Sequence, residues 1–578
     1  MNLQTLLLER FKAALAKIGA PKDSPTPLGR STRAEFGEYQ FNGAMALAKL
    51  MKQKPRDIAE KIVEAVALDD VAQKLEIAGP GFINIHLKPE WMAQQLVEAK
   101  NDPRLGIAQQ PAKTIVVDYS SPNLAKEMHV GHLRSTIIGD AVVKALEFMG
   151  HKVIRQNHMG DWGTQFGMLL AHLNDKLAAN EVAETALSDL EDFYREAKVR
   201  FDNEDGFADR AREYVVKLQG GDSQCLTLWE QFIDVSIKHS EDVYNKLNVS
   251  LSRDDIMGES AYNADLHATL QALKDQGLAV EDQGAQVVFI DELADKEGNP
   301  AVYIVQKSGG GFLYSTTDQA AIRYRCQTLK ADRTLIFTDA RQALHFKQTE
   351  IVARKAGFIS AEQSYEHCPF GMMLGTDGKP FKTRSGDTVK LADLLDEAVE
   401  RAEKVMAERI SDFSPEERKA IARKIGISAV KYADLSKNRT TDYIFNWDSM
   451  LSFEGNTAPY LQYAYSRANN IFKNAGVDAN SLNATIHIDS AQEKTLAIKL
   501  LQYVEALEQV TAEATPHVLC SYLFELASHF MSFYEACPIL KDGITAEQRD
   551  SRLMLVALTA ATLKSGLELL GIDTMARM

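Results

Sequence analysis

The sequence predicts an α/β fold: a doubly wound, Rossmann-like parallel sheet carrying a helical insertion, with a small α+β domain before it and an all-helical domain after it. Three observations lead there. The run "TIVVD" from Thr114 is continuously apolar, an amphipathic stretch over about 131–149 follows, Gly150 stops it, and "KVIRQN" from Lys152 reads as the next strand. Strand, helix and strand in that order form a βαβ unit, which packs as a parallel, right-handed layer. Residues from about 175 to 252 then turn helical and acidic ("SDLEDFYREAKVRF") with no strand signal, and strand-like runs resume at 286–290, 301–305, 312–316 and 334–339. The sheet is therefore expected to be split by an inserted helical module. Beyond Leu391 the spacing is helical to about Leu570.

Taken in order, residues 1–112 combine amphipathic helices, the first with Leu7, Phe11, Leu15 and Ile18 on one face, with the turn "AGPGF" and an alternating run at 83–87. "QQPAK" makes a linker. The α/β domain is expected over 113–390, a helical connecting region over 391–455 and a helical domain over 456–578 that opens with "PYLQYAYSRANNIF". There is no internal repeat.

Composition narrows the function classes. Hydrophobic residues make up 45% and charged residues 25%, the proportions of a globular protein. With 65 Lys and Arg against 80 Asp and Glu the net charge is -15, which argues against indiscriminate coating of nucleic acid. The five cysteines form no CxxC pair, so neither a zinc site nor a disulfide framework is expected, and a cytoplasmic location fits. The uncharged stretch at 553–563 is far short of the ~20 residues that span a bilayer. The N-terminus lacks the apolar block of a signal peptide.

The chemistry concentrates in "SSPNLAKEMHVGHLRST", Ser120 to Thr136. A crossover helix starting just after a strand presents unpaired N–H groups and its positive dipole end at the carboxyl edge of the sheet, where phosphate binds. Gly131 lets a flat ring lie against the backbone. His129 and His132, at i and i+3, can donate hydrogen bonds to a triphosphate and stabilise charge on the α-phosphate and the leaving pyrophosphate. Half a metal site is the alternative, and nothing nearby completes one. No GxGxxG follows a strand, and "GTDGKPFK" lacks the Walker spacing.

"HVGH" resembles the HIGH motif of class I aminoacyl-tRNA synthetases. The longer run from Ser120 through "GDWGTQFG" resembles one family of that class, the arginyl-tRNA synthetases, and the likeness covers essentially the whole chain. It implies a reaction of arginine with ATP to arginyl-adenylate and pyrophosphate, followed by transfer to the 3′-terminal adenosine of tRNA(Arg), with Mg²⁺ accompanying ATP and no zinc. It also implies that arginine activation needs bound tRNA. Where class members carry KMSKS this sequence has "GKPFKTRSGD" at 378–387, with Lys382 and Arg384 as candidate phosphate ligands. In relatives with such a loop a lysine upstream of HIGH is thought to compensate, and Lys126 occupies that place.

An arginine site needs carboxylates for a planar five-donor guanidinium and a partner for the α-amino group. The candidates lie at strand ends: Asp118, Asn123, Tyr314, Asp318 and Gln342. By resemblance Asp118, Tyr314 and Asp318 hold the guanidinium, and Asn123 and Gln342 the α-amino end. Alone, Asp318 reads equally as a helix cap, Tyr314 as core and Gln342 as an exposed helix start. Phe82 and Asn84 resemble residues that receive a D-loop base, although Phe82 reads equally as an apolar turn residue. Tyr460, Tyr463, Tyr465 and Arg467 suit anticodon stacking, and at helical spacing some must be core. A monomer that binds neither DNA nor membrane is expected. A HIGH-motif nucleotidyltransferase acting on a small metabolite and a non-catalytic tRNA-binding paralogue stay open.

Overall fold

The computed structural model describes residues 2–382, 389–409 and 413–578. At its centre lies a four-stranded, all-parallel sheet in the order Ser364–His367, Arg333–Ile336, Thr114–Asp118, Lys152–Gln156. Ile115, Val116 and Val117 are all fully buried. That explains the unbroken apolar run, because helices cover both faces of a parallel sheet. The helix Val130–Phe148 joins the Thr114–Asp118 and Lys152–Gln156 strands, and the helix Ala343–Lys355 joins Arg333–Ile336 to Ser364–His367. The two βαβ units run outward from the central pair, so the segments leaving Asp118 and Ile336, which face each other in register, diverge and open a crevice.

Everything from 157 to 332 is inserted between the second and third strands of this sheet. The first half is helical, as expected, with Gln165–Ala178, Leu190–Asn203, Phe207–Gln219 and Ser223–Leu247. The second half corrects the sequence reading. The runs at 286–290 and 301–305 do not join the parallel sheet; with Ala279–Asp282 they form a separate antiparallel sheet, Ala285–Ile290 paired to Ala301–Gln306. Val302 and Ile304 are 47% and 43% exposed, so an unbroken apolar run here does not mean burial on both faces. The run at 312–316 is not a strand either. Phe312 makes a single bridge to Gln306, and a helix begins at Tyr314. The Ser315 hydroxyl donates to the Ile304 carbonyl at 2.5 Å and Thr316 donates to that of Val305, which ties the helix start to the end of the preceding strand.

The N-terminal unit is an antiparallel sheet, Leu28–Arg30, Tyr39–Phe41, Phe82–Leu87 and Ala72–Ala78, backed by helices with its own core. It leans on the helical C-terminal part through Arg30 and Glu505 at 2.6 Å and Lys494 and Glu38 at 2.6 Å. Among the described residues after Leu391 the regular structure is helical apart from Tyr443–Ile444, which pairs in parallel with Met373–Leu374. No helix among the described residues is long and apolar enough to cross a membrane.

The helix Val130–Phe148 is buried on almost every side. It approaches the strand behind it at Gly139, where an added Cβ would lie 2.3 Å from Cβ of the buried Tyr119. Gly139→Ala should therefore cost ~1–3 kcal/mol through overpacking. The check is a shift of the urea unfolding midpoint, and an unchanged midpoint would mean the contact yields freely.

Candidate active site

The segment leaving Asp118 turns sharply. Ser120 and Ser121 have φ of +70° and +48°, left-handed values that side chains other than glycine avoid. The strained turn is held by its surroundings: Ser120 N–H donates to Ser135 Oγ at 2.9 Å, Ser121 N–H to Asn157 Oδ1 at 3.0 Å, and Ser121 Oγ to Asp118 Oδ1 at 2.8 Å. Ser120 Oγ and Asn157 Nδ2 both meet the hydroxyl of Tyr244 on the long insertion helix. The chain then passes Asn123, which is exposed and accepts from Ala125 N–H at 2.9 Å, to reach the helix start.

His129 is the N-cap of that helix. Its Nδ1 accepts from Gly131 N–H at 3.0 Å, while His132 Nδ1 accepts from His129 N–H at 3.1 Å. With both Nδ1 atoms used as acceptors, each neutral ring carries its proton on Nε2. Burial lowers both pKa values, that of His132 to about 3 with help from His129. The rings lie 4.0 Å apart, so two Nε2–H donors sit side by side at the positive end of a helix without bearing charge themselves. Gly131 has a reason the sequence reading missed: a Cβ there would lie 2.7 Å from the His129 ring and push it off the helix end.

The chain on the far side of the 378–387 stretch, at Val389 and Leu391, is tied to the same place. Downstream, Val130 N–H donates to the Val389 carbonyl at 3.0 Å and Leu391 N–H to that of Met128 at 2.9 Å. Upstream, Phe381 N–H donates to the Met373 carbonyl at 3.1 Å. Lys382 is exposed, and Arg384 lies outside the described residues. Lys126 is exposed with its ammonium 4.1 Å above the ring of Tyr194.

Carboxylates gather on the other side of the crevice. Asp118 is 6% exposed and already engaged: Oδ2 accepts from Arg325 at 2.6 Å and Oδ1 from Ser121. Asp318 accepts from His345 Nε2 at 2.5 Å. The ring of His345 stands edge-on to Tyr314, 4.9 Å away, and Tyr314 itself is 64% exposed. Gln342 is exposed one residue before the helix that carries His345.

Glu259, Arg325 and His345 were missed. Burial raises the Glu259 carboxyl to about 7, with the charges of Asp161 and Asp318 adding to it. A carboxyl at that value beside a second carboxylate is short of a cation. Arg325 lies past the end of the helix that carries Asp318, in a π-turn over Tyr324–Thr328, where α-helical spacing no longer gives its direction. Glu259 sits in a 3₁₀ segment, Glu259–Asp265, where no periodicity points to it.

The RNA-facing candidates lie in the outer units. Phe82 is half-buried, and Asn84 is 1% exposed, accepting from Gln40 at 2.7 Å with its Nδ2 unpaired. On the helix Ala458–Ala475, Arg467 lies between the rings of Tyr463 and Tyr534 at 5.2 and 5.1 Å. Tyr460 packs on Phe524, and Tyr465 against the core.

Comparison with known proteins gives the family and the fold. Family profiles match three consecutive parts of the chain: the arginyl tRNA synthetase N terminal domain at 5–87, the class I (R) tRNA synthetase catalytic domain at 93–447 and the DALR anticodon binding domain at 461–578. The arginine–tRNA ligase of Pseudoalteromonas atlantica is 76% identical over the full length of both chains, and that of Serratia proteamaculans 55% identical over the same extent. The crystal structure of arginyl-tRNA synthetase from Plasmodium falciparum superposes with a TM-score of 0.86 at 28% identity, covering 100% of this chain and 99% of that one. The chain therefore belongs to the arginyl-tRNA synthetase family: it activates arginine with ATP and transfers the arginyl group to tRNA(Arg).

Proposed function

We propose a division of labour across the crevice. Arginine lies with its guanidinium between Asp318, Glu259 and the hydroxyl of Tyr314, and its α-amino group near Asn123 and Gln342. Asp118, shared by Arg325 and Ser121, stands behind them and adds its field. ATP lies along the helix start, its base and ribose over Gly131 and its phosphates toward His129 and His132, with Lys126, Lys382 and Arg384 as the cations that meet the pyrophosphate. The observation that carries this reading is the pairing of uncharged N–H donors with a cation-seeking carboxylate cluster at the carboxyl ends of adjacent strands.

In the first step an arginine carboxylate oxygen attacks the α-phosphorus, the bond to the bridging oxygen breaks, and pyrophosphate leaves with the electron pair. Nε2–H donors gain strength as charge develops on the phosphate oxygens. In the second step a ribose hydroxyl of the terminal adenosine attacks the carbonyl and AMP leaves. The groups at the helix start are donors, which suit phosphate and not a cation, so Mg²⁺ enters on the triphosphate oxygens. Zinc has no part. Bound tRNA acts as the ligand that selects the competent site.

The domain division 1–112, 113–390, 391–455 and 456–578 belongs to the same reading, and the three consecutive profile matches support it. Phe82 and Asn84 would take a base of the tRNA elbow, and Tyr460 and Arg467 would meet the anticodon. The enzyme would act as a cytoplasmic monomer.

Asp318→Asn keeps shape and removes charge, and should cost ~3–5 kcal/mol in kcat/KM for arginine. Tyr314→Phe should cost less, ~1–3 kcal/mol. Neither should alter KM for ATP. Lysine, which cannot fill a planar fork, should remain rejected. An Asp318→Asn enzyme with normal arginine kinetics would make that residue a partner of His345 only.

A second expectation concerns pH. Free Glu259 ionises near 7, so kcat/KM for arginine should rise with pH through that value, falling up to about tenfold by pH 6 as the carboxyl takes a proton. Glu259→Gln should give a flat, low profile. Persistence of the step in the variant would assign it to another group.

A further inference from the structure

The signature helix carries, two residues beyond His132, the side chain of Arg134, which is 1% exposed. An arginine that deep needs partners, and it finds them on one segment far along the chain. Its Nε lies 3.1 Å from Asp434, itself 0% exposed, its Nη1 donates to the Thr441 carbonyl at 2.9 Å, and its guanidinium stacks 5.2 Å from the ring of Tyr443.

Residues 434–445 are also what hold the upstream stem of the 378–387 stretch. Gly371 N–H donates to the Arg439 carbonyl at 2.8 Å, Met372 N–H to Asp442 Oδ1 at 2.6 Å, Tyr443 N–H to the Met372 carbonyl at 3.1 Å, and Phe445 N–H to that of Leu374 at 2.8 Å. The approach is close enough that a Cβ on Gly371 would lie 2.6 Å from the carbonyl carbon of Thr441. Phe381, next to Lys382, packs on Phe445 at 4.9 Å. Farther along, Val389 and Leu391 are bonded directly to Val130 and Met128. The stem ending at Lys382 thus takes its position from the signature helix through Arg134.

We propose that Arg134 is a positioning residue for the ATP half of the site: by gripping Asp434 and the Thr441 carbonyl it sets where the stem bearing Lys382 stands relative to His129 and His132. It touches neither substrate. The proposal rests on reading Lys382 as a ligand of the ATP phosphates. A guanidinium suits this task because its planar fork bonds the carboxylate through Nε and the carbonyl through Nη1 at once. Conformational precision of this sort matters because a shift of about 1 Å in a reacting geometry can cost on the order of a hundredfold in rate.

The test is Arg134→Lys, which keeps the buried charge beside Asp434, together with the double variant Arg134→Met/Asp434→Leu, which removes both charges. Thermal unfolding and the kinetics of arginine activation are measured on each, with Lys382→Ala run alongside. The expected result is a melting temperature near that of the wild type in at least one of the two variants. That variant should show kcat lowered about tenfold or more and a raised KM for ATP, with KM for arginine unchanged. Three results would overturn the proposal: a folded variant with wild-type ATP kinetics, an equal loss for arginine and ATP, or failure of both variants to fold. Each would make Arg134 an ordinary core ion pair. Normal ATP kinetics in Lys382→Ala alone would instead overturn the reading of Lys382 as a phosphate ligand and leave the Arg134 result to stand by itself.

Discussion

The start of the helix Val130–Phe148 has to sit at the carboxyl edge of the sheet, immobile, with its N–H groups facing the crevice, and most of the architecture serves that constraint. The helix is buried on nearly all sides, pinned to the strand behind it at Gly139 and Tyr119, and braced by the insertion, the connecting helix and the end of the chain. Its first turn is closed by two imidazoles that satisfy their own backbone donors. A helix end in that state attracts anions through its dipole and its remaining N–H groups, without a charged side chain that would bind ground state and transition state equally.

Across the crevice the balance is reversed. Asp118, Asp161, Glu259 and Asp318 share one neighbourhood, and Arg325 supplies an internal guanidinium to Asp118 at 2.6 Å. That pairing settles Asp118, and His345 meets Asp318. The Glu259 carboxyl, raised by burial and by the charges of Asp161 and Asp318, is the one whose ionised form an incoming cation would favour. A guanidinium is suited to that site because it stays charged at any working pH and can bond two acceptors at once.

The parallel core was legible from sequence because its signals are local: an apolar strand, a glycine stop, and histidines at a fixed offset from a strand end. The antiparallel sheet of 279–306 was misread because apolar continuity does not distinguish two covered faces from one covered and one open, and Val302 and Ile304 are open. The helix start at Tyr314 was legible in the four-residue spacing of Tyr314 and Asp318, although the run 312–316 also read as a strand because Ser315 and Thr316, whose hydroxyls anchor the helix end, suit either. In the proposed site, the histidines, Asp118 and Asp318 were candidates because of their places at strand and helix ends. Glu259, His345 and Arg325 come from segments 27 to 207 residues away from their partners, and nothing short of the fold brings them together. The left-handed Ser120 and Ser121 belong to the same group, since Ser135, Asn157 and Tyr244, which hold them together with the nearby Asp118, come from other segments.

The central claim is that the two signature histidines act as neutral Nε2–H donors. Nitrogen chemical shifts of selectively labelled His129 and His132, assigned by single substitution and followed from pH 5.5 to 8, test it directly. The account predicts the Nε2–H tautomer for both neutral rings, with His132 neutral throughout this range and His129 titrating below an ordinary imidazole. An imidazolium at His132 within the range, or a His129 that titrates at or above the ordinary imidazole value, would contradict it, and the site would then bind phosphate by charge instead of by fixed dipoles.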